Sequence, residues 1–328
     1  MPTIKIAGMG RYLPIKQVSS LELDHKLGLS PGTVEQKSGL VNRHFASSEE
    51  TTSYMGAQAA LEAVREAGIQ LQDIDLIVSA CGAGEQPIPS TATLIQKQLG
   101  LENSGIASFD ISSTCLSFVT ALDVVSYLIA AGRYQRVLII SSDIPSLGIN
   151  WQDMETCTIF GDGAAACVVE KSQGSNRILS AFMETHSVGS DYCMLAAGGT
   201  RIPPSRAYDY QRLGVFTMDG KRVFKLATKL LTHTNQVVLD KAGLTFADIP
   251  WVVPHQASQL AIHHMRKRFQ IPKENLVDIF ASYGNQMAAS IPSALYTLIR
   301  SKQLHRGQLV YLLGTGAGLS SAGMILEY

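Results

Sequence analysis

The sequence predicts an α/β fold made of two similar halves. Two observations carry that expectation. Short apolar, β-branched runs alternate with longer helix-like runs, several of which stop at glycine. The order of these runs then repeats once along the 328 residues.

In chain order, "SYMGAQAALEAVREAG" (53–68) has helical spacing and ends at Gly68, a residue suited to the position after a helix. "DLIVSACG" (75–82) reads as a strand. After the polar "SST" (112–114), residues 116–131 are strongly apolar and predict a buried central helix, closed by Gly132. "RVLIISSD" (136–143) and "AAACVVEK" (164–171) read as strands. "VFKLATKLLTHTNQVVLDKAG" (223–243) predicts a helix, followed by strands at "WVVPH" (251–255) and "QLVYLLGTGAG" (308–318). Strands that are apolar on both faces suit a sheet covered by helices on each side.

The repeat is visible in the letters. "EAGIQLQDIDLIVSA" (66–80) matches "KAGLTFADIPWVVPH" (241–255), with Ala67 aligned to Ala242 at an offset of 175 residues. A second match, from Phe109 and from Val277, keeps chain order at a similar offset. One period of this length is too long for a solenoid and implies duplicated halves, 1–171 and 172–328. In this alignment the place of Cys115 falls near "SYGN", at Asn285.

Composition narrows the function. Hydrophobic residues make up 46%, charged residues 16%, and the formal net charge is zero. No basic field is present to hold nucleic acid. The five cysteines (Cys81, Cys115, Cys157, Cys167, Cys193) form no CxxC pair, so neither a zinc site nor a disulfide framework is expected. The N-terminus lacks a signal-peptide pattern and no run is long enough to span a membrane, so a cytoplasmic, reducing location is expected. "GMGRYLP" (8–14) lacks the third glycine of a dinucleotide site, and "FGDGAAAC" (160–167) lacks the ending of a phosphate loop.

Three residues carry chemistry. Cys115 stands where the polar turn meets the central helix, and the helix N-terminus is expected to lower its pKa. His255 ends a strand, the end of an α/β sheet where ligands bind. Asn285 lies in a turn before a helix. A thiol nucleophile with an imidazole and a carboxamide beside it suits thioester chemistry, in which both partners donate to a developing oxyanion. Backbone N–H groups of the terminal "GTGAGLSSAG" (314–323) approach the same point in this reading. The other four cysteines read as buried or incidental thiols.

"DISSTCLSF", "FGDGAAA", "PHQAS", "SYGNQMAASIPSAL" and "GTGAGLSSAG" together resemble the β-ketoacyl-acyl carrier protein synthase III family of the thiolase superfamily. The resemblance spans nearly the whole chain. It implies the thiolase-like fold, two duplicated halves in five αβαβα layers, and a homodimer. It implies an acyltransferase in which Cys115 accepts the acyl group while His255 and Asn285 assist decarboxylation and hold the thioester carbonyl. The N–H groups of Cys115 and Ala317 would form the oxyanion hole. Lys37, Phe160, Gly220, Lys221 and Ser258 fall on positions lining the pantetheine tunnel. Ile88 would be the tip of a dimer-interface loop (84–92). Lys225, Arg266, Lys267 and Arg268, with Lys221 and Arg222, are the cations expected to meet an acidic acyl carrier protein. Substrates would arrive as coenzyme A or carrier-protein thioesters, with no metal or redox cofactor.

The chain departs from the family's fatty-acid initiators at the adenine clamp. Thr33 stands in place of a stacking tryptophan, Lys37 and Met154 in place of arginines, and Leu260 in place of another arginine; "HQAS" replaces "HQAN". These changes point to a carrier-protein donor or a different coenzyme A pose, in fatty-acid or polyketide-like metabolism. Alternatives are acyl transfer to an oxygen or nitrogen acceptor, or non-decarboxylative condensation with Glu85 as base.

Overall fold

In a computed structural model of the chain, residues 2–206 and 210–328 are described. The strands are β1 (Ile4–Tyr12), β2 (Lys16–Ser19), β3 (Asn42–Phe45), β4 (Leu76–Ser79), β5 (Ala107–Asp110), β6 (Arg136–Asp143), β7 (Gly163–Lys171), β8 (Arg177–Thr185), β9 (Cys193–Leu195), β10 (Phe216–Met218), β11 (Trp251–Pro254), β12 (Leu309–Gly316) and β13 (Ser320–Glu327). The α-helices are α1 (Ser20–Leu27), α2 (Thr33–Ser38), α3 (Thr52–Ala67), α4 (Thr91–Gln98), α5 (Ser117–Ala130), α6 (Tyr210–Leu213), α7 (Gly220–Ala242), α8 (Gln259–Arg268), α9 (Phe280–Tyr283) and α10 (Ser290–Arg300).

Two sheets organise the chain. The first runs β1-β7-β6-β4-β5 and the second β8-β13-β12-β11. Their pairing senses agree: β6 is parallel to β4 and antiparallel to β7, as β12 is parallel to β11 and antiparallel to β13. A bridge from Val252 to Leu276 stands where β5 flanks β4. Side chains of α5 and α10 share one core with both sheets, so these helices lie between them. Helices α3 and α4 pack on the outer face of the first sheet, and α7 and α8 on that of the second. The layers are therefore αβαβα, as expected.

The letters explain most of this. The interior of β6 is buried at every position from Val137 to Asp143, because helices cover both sides. The predicted helices end at Gly68 and Gly243, both in the left-handed conformation, with φ of 69° and 67°. "GMG" belongs to β1, and its glycines serve packing. A Cβ on Gly8 would lie 2.3 Å from the Ala63 carbonyl oxygen, and one on Gly10 2.1 Å from that of Ala59.

The structural register of the repeat corrects one expectation. Strands β6 and β12 match at an offset of 173, as do the starts of α5 and α10. Cys115 therefore corresponds to Ala288, and Asn285 lies three residues earlier, on the approach to the turn. The letters set Cys115 against Asn285, whereas the backbone aligns on the helix starts.

Candidate active site

Cys115 sits in a 3-10 turn, Thr114–Leu116, directly before α5. The serine and threonine side chains before it do not cap that helix. Instead the hydroxyl of Ser117 accepts the N–H of Ser113 (2.8 Å) and lies 2.7 Å from the Thr114 carbonyl and 3.0 Å from that of Cys81. Thr114 has φ of 52°, a conformation a β-branched residue adopts only when its surroundings force it. The C-terminal end of β12 packs on this turn, since a Cβ on Gly316 would lie 2.6 Å from Thr114 Oγ1 and 3.2 Å from the Ser113 oxygen.

The expected low thiol pKa is not found. Burial pushes the half-buried Cys115 thiol up to about 12, and the Asp143 carboxylate and the Cys193 thiol add to the rise. The amides of Ala317 and of Cys115 itself pull the other way. Desolvation outweighs these two amides here. The same two amides are the pair expected to form an oxyanion hole, and they act on the sulfur together.

His255 follows β11 directly, and its N–H bonds the Leu313 oxygen (2.8 Å) on β12. The next residue, Gln256, fixes the turn. Its side chain donates to the Pro254 and Val277 oxygens (2.8 and 3.1 Å) and accepts from Ile279 N–H (2.9 Å). His255 is buried, and burial holds its imidazole down at about 4, so it is neutral at neutral pH. Nδ1 has no partner among the described residues. An unpartnered acceptor costs less than an unpartnered donor, which favours the proton on Nε2.

Asn285 precedes the 3-10 turn Met287–Ala289 that leads into α10. Its Oδ1 accepts Met287 N–H (2.9 Å) and its Nδ2 donates to the Ala257 oxygen (3.3 Å), two residues beyond His255. These bonds fix which way the amide points and leave the second Nδ2 hydrogen free to donate. Phe160, buried, forms a bridge with Asn285 and meets Phe216 edge-on at 5.1 Å. The Met287 turn packs on Gly82, where a Cβ would lie 2.8 Å from Met287 Cε.

Other expected residues have different placements. Ser258 caps α8 by accepting Ala261 N–H (3.2 Å). Glu85 accepts Ser53 N–H (2.6 Å) at the start of α3, which commits one of its carboxylate oxygens to structure. Gly220 opens α7 against Glu155, and the exposed Lys37 lies on α2. Ile88 is 84% exposed, on the loop before α4. Lys221 and Lys225 lie on α7 and Arg266, Lys267 and Arg268 in the last turn of α8, and the two helices meet where Arg268 Nε donates to Thr232 Oγ1 (3.1 Å). The loop 190–216 lies partly outside the described residues.

The sequence reading passed over Asp143 and Gln256. The signal for Asp143 was the polar "SSD" closing an apolar strand at the sheet end where sites form. Asp143 is 1% exposed and accepts three backbone N–H groups, from Gly82 (2.8 Å), Ala83 (3.1 Å) and Ala288 (3.1 Å). Burial raises its pKa to about 7 against the pull of these amides.

Fold and site place a thiol at the junction of two duplicated α/β halves. Comparison with known proteins gives the family. The profile of 3-oxoacyl-[acyl-carrier-protein (ACP)] synthase III matches residues 109–187, and that of its C-terminal part matches residues 239–328. A β-ketoacyl-[acyl-carrier-protein] synthase III from Chlamydia muridarum is 36% identical over 323 residues, 98% of each chain. One from Aquifex aeolicus is 35% identical over 99% of each chain. The crystal structure of the Aquifex aeolicus 3-oxoacyl-[acyl-carrier-protein] synthase III superposes with a TM-score of 0.90 at 34% identity, covering 99% of this chain and 100% of that one. The priming β-ketosynthase of the R1128 polyketide pathway gives 0.89 at 29% identity, over 99% and 96%. The chain belongs to the 3-oxoacyl-[acyl-carrier-protein] synthase III family, acyltransferases that join acyl thioesters by Claisen condensation.

Proposed function

We propose that Cys115 carries the acyl group and that a malonyl-type thioester, after losing carbon dioxide, condenses with it. The supporting observation is the convergence on one junction of the Cys115 turn, the Ala317 amide, His255 and Asn285. The Cys115 sulfur attacks the donor thioester, and its proton passes to the donor sulfur as that group departs. The amides of Cys115 and Ala317 hold the tetrahedral oxyanion until the donor thiol leaves. The malonyl thioester then gives up carbon dioxide. Its enolate oxygen receives hydrogen bonds from Nε2–H of neutral His255 and from Nδ2–H of Asn285. The enolate carbon attacks the acyl carbon, the Cys115 sulfur departs as a thiolate that takes up a proton from solvent, and a β-ketoacyl thioester is released. The scheme draws on thioesters alone, with no metal or redox cofactor.

The donor in this reading is an acyl carrier protein. Thr33 is held by its own turn, its hydroxyl donating to the Ser30 oxygen (2.6 Å). The face of nearby Trp151 is covered by Lys26, 3.2 Å from the ring centre. No stacking pair for adenine is thus offered by Thr33 and Met154, while the cations of α7 and α8 suit an acidic carrier. The exposed Ile88 loop and the edge position of β5 support a homodimer. Among the described residues no helix is long and apolar enough to cross a membrane, and the five cysteines are free; a cytoplasmic setting is proposed.

Loading of Cys115 from one acyl chain, presented on coenzyme A or on acyl carrier protein, tests the donor. Carrier-bound chains are expected to load at least ~10-fold faster at low salt, and the advantage to shrink as salt screens the cations. Equal or faster loading from coenzyme A would overturn the donor assignment. Release of labelled carbon dioxide from a malonyl thioester tests the condensation. Product formed without that release would favour the non-decarboxylative route.

A further inference from the structure

Asp143 ends β6 in the first half, and its carboxylate binds backbone from both halves. Oδ1 takes the N–H groups of Gly82 and Ala83, in the segment after β4. Oδ2 takes the N–H of Ala288, inside the turn Met287–Ala289 of the second half. The two loops it joins lead to the two sides of the site. The Cys81 carbonyl lies 3.0 Å from Ser117 Oγ, which holds the Cys115 turn through Ser113. Met287 N–H holds Asn285 Oδ1. No lysine or arginine is paired with Asp143 among the described residues, so backbone amides alone balance its charge.

We propose that Asp143 is a positioning residue, which keeps the Asn285 amide in register with Cys115 by clamping the Met287–Ala289 turn to the 81–83 segment. The register of the two halves supports this role. The residue matching Asp143 in the second half is Gly316, and the residue matching Ala288 is Cys115. One N–H is filled by a carboxylate from the neighbouring strand end. The other faces a strand end with no side chain and stays available to a substrate oxygen. The filled copy supports the open one.

Replacement by asparagine leaves one acceptor oxygen and turns an NH₂ group toward a backbone N–H, which releases one of the two loops. The inference rests on the reading of Asn285 as the donor to the enolate, so its test is a double-mutant cycle. Carbon dioxide release from a malonyl thioester is measured for wild type, Asp143→Asn, Asn285→Ala and the double variant. In the wild-type background Asp143→Asn is expected to lower kcat by at least ~10-fold with KM changed by less than ~3-fold. In the Asn285→Ala background the further loss is expected to be below ~2-fold, because Asp143 acts through Asn285. Equal losses in both backgrounds, or an unchanged rate in Asp143→Asn, would overturn the inference. Should Asp143→Asn fail to fold, as read by circular dichroism, Gly82→Ala replaces it, since its Cβ would lie 3.2 Å from Asp143 Oδ1 and press on Met287. The same coupling to Asn285 is expected of that variant. A wild type that releases no carbon dioxide would contradict the decarboxylative reading instead, and the cycle is then read from the rate of condensation product.

Discussion

The two halves build the same turn and use it differently. In the first half, Thr114–Leu116 forms a 3-10 turn into α5; in the second, Met287–Ala289 forms one into α10. Each turn begins with a non-glycine residue at positive φ, 52° at Thr114 and 49° at Met287. Each is held by the serine that follows it, which accepts the N–H of the residue before the turn: Ser117 from Ser113 and Ser290 from Gln286 (3.0 Å). The difference lies in two side chains per turn. The first copy has a thiol at the second position of its turn and a glycine, Gly316, on the strand end facing it. The second has Ala288 there and Asp143 facing it. A duplicated frame thus carries one turn beside a bare strand end and one turn held by a carboxylate, and the shared backbone strain belongs to the frame.

The comparison is open to attack at several points. The largest expected effect is at Asn285, which the second half supplies to the first half's thiol. Asn285→Ala should lower malonyl decarboxylation by ~10²–10³, the cost of one oxyanion donor. A loss under ~3-fold would remove Asn285 from the chemistry. Next is the pH dependence of stability. The folded protein holds His255 near 4, while the unfolded chain protonates near the ordinary value of 6.5. As pH falls through that window the unfolded state takes up a proton that the folded state refuses, so stability declines by up to about 3 kcal/mol. Urea titrations at several pH values should show this decline in wild type and a shallower one in His255→Asn. Identical slopes would show that the imidazole is not held neutral. A smaller effect is expected from closing the open copy. In Gly316→Ala the new Cβ meets Thr114 Oγ1 and the Ser113 oxygen, and kcat should fall ~10-fold through displacement of the nucleophile. A wild-type rate would mean that the bare strand end has no function.

Much of this was legible in the letters. The layered fold and the duplication follow from apolar runs with both faces buried and from a repeat that keeps its order. The three candidate residues were picked out because cysteine, histidine and asparagine stand at element ends, where a fold of this class gathers function. What was hidden depends on distance and desolvation. The thiol pKa depended on how completely protein encloses the sulfur, which no local pattern near Cys115 reports. Glu85 stood in the sequence as an alternative base, and the letters did not show that Ser53 N–H holds one of its carboxylate oxygens. Asp143 was one polar residue at a strand end, and its three amide partners lie 60, 61 and 145 residues away. The match of Cys115 to Ala288 was hidden for a related reason: helix starts set the register, and the letters there differ.

The central claim is that one thiol, in the open copy of the turn, carries the acyl chain. Intact-mass measurement after incubation with acyl thioesters tests it directly. Wild type is expected to gain the mass of one acyl group per chain, and Cys115→Ala none. An equal adduct on Cys115→Ala would place the acyl group elsewhere and contradict the account.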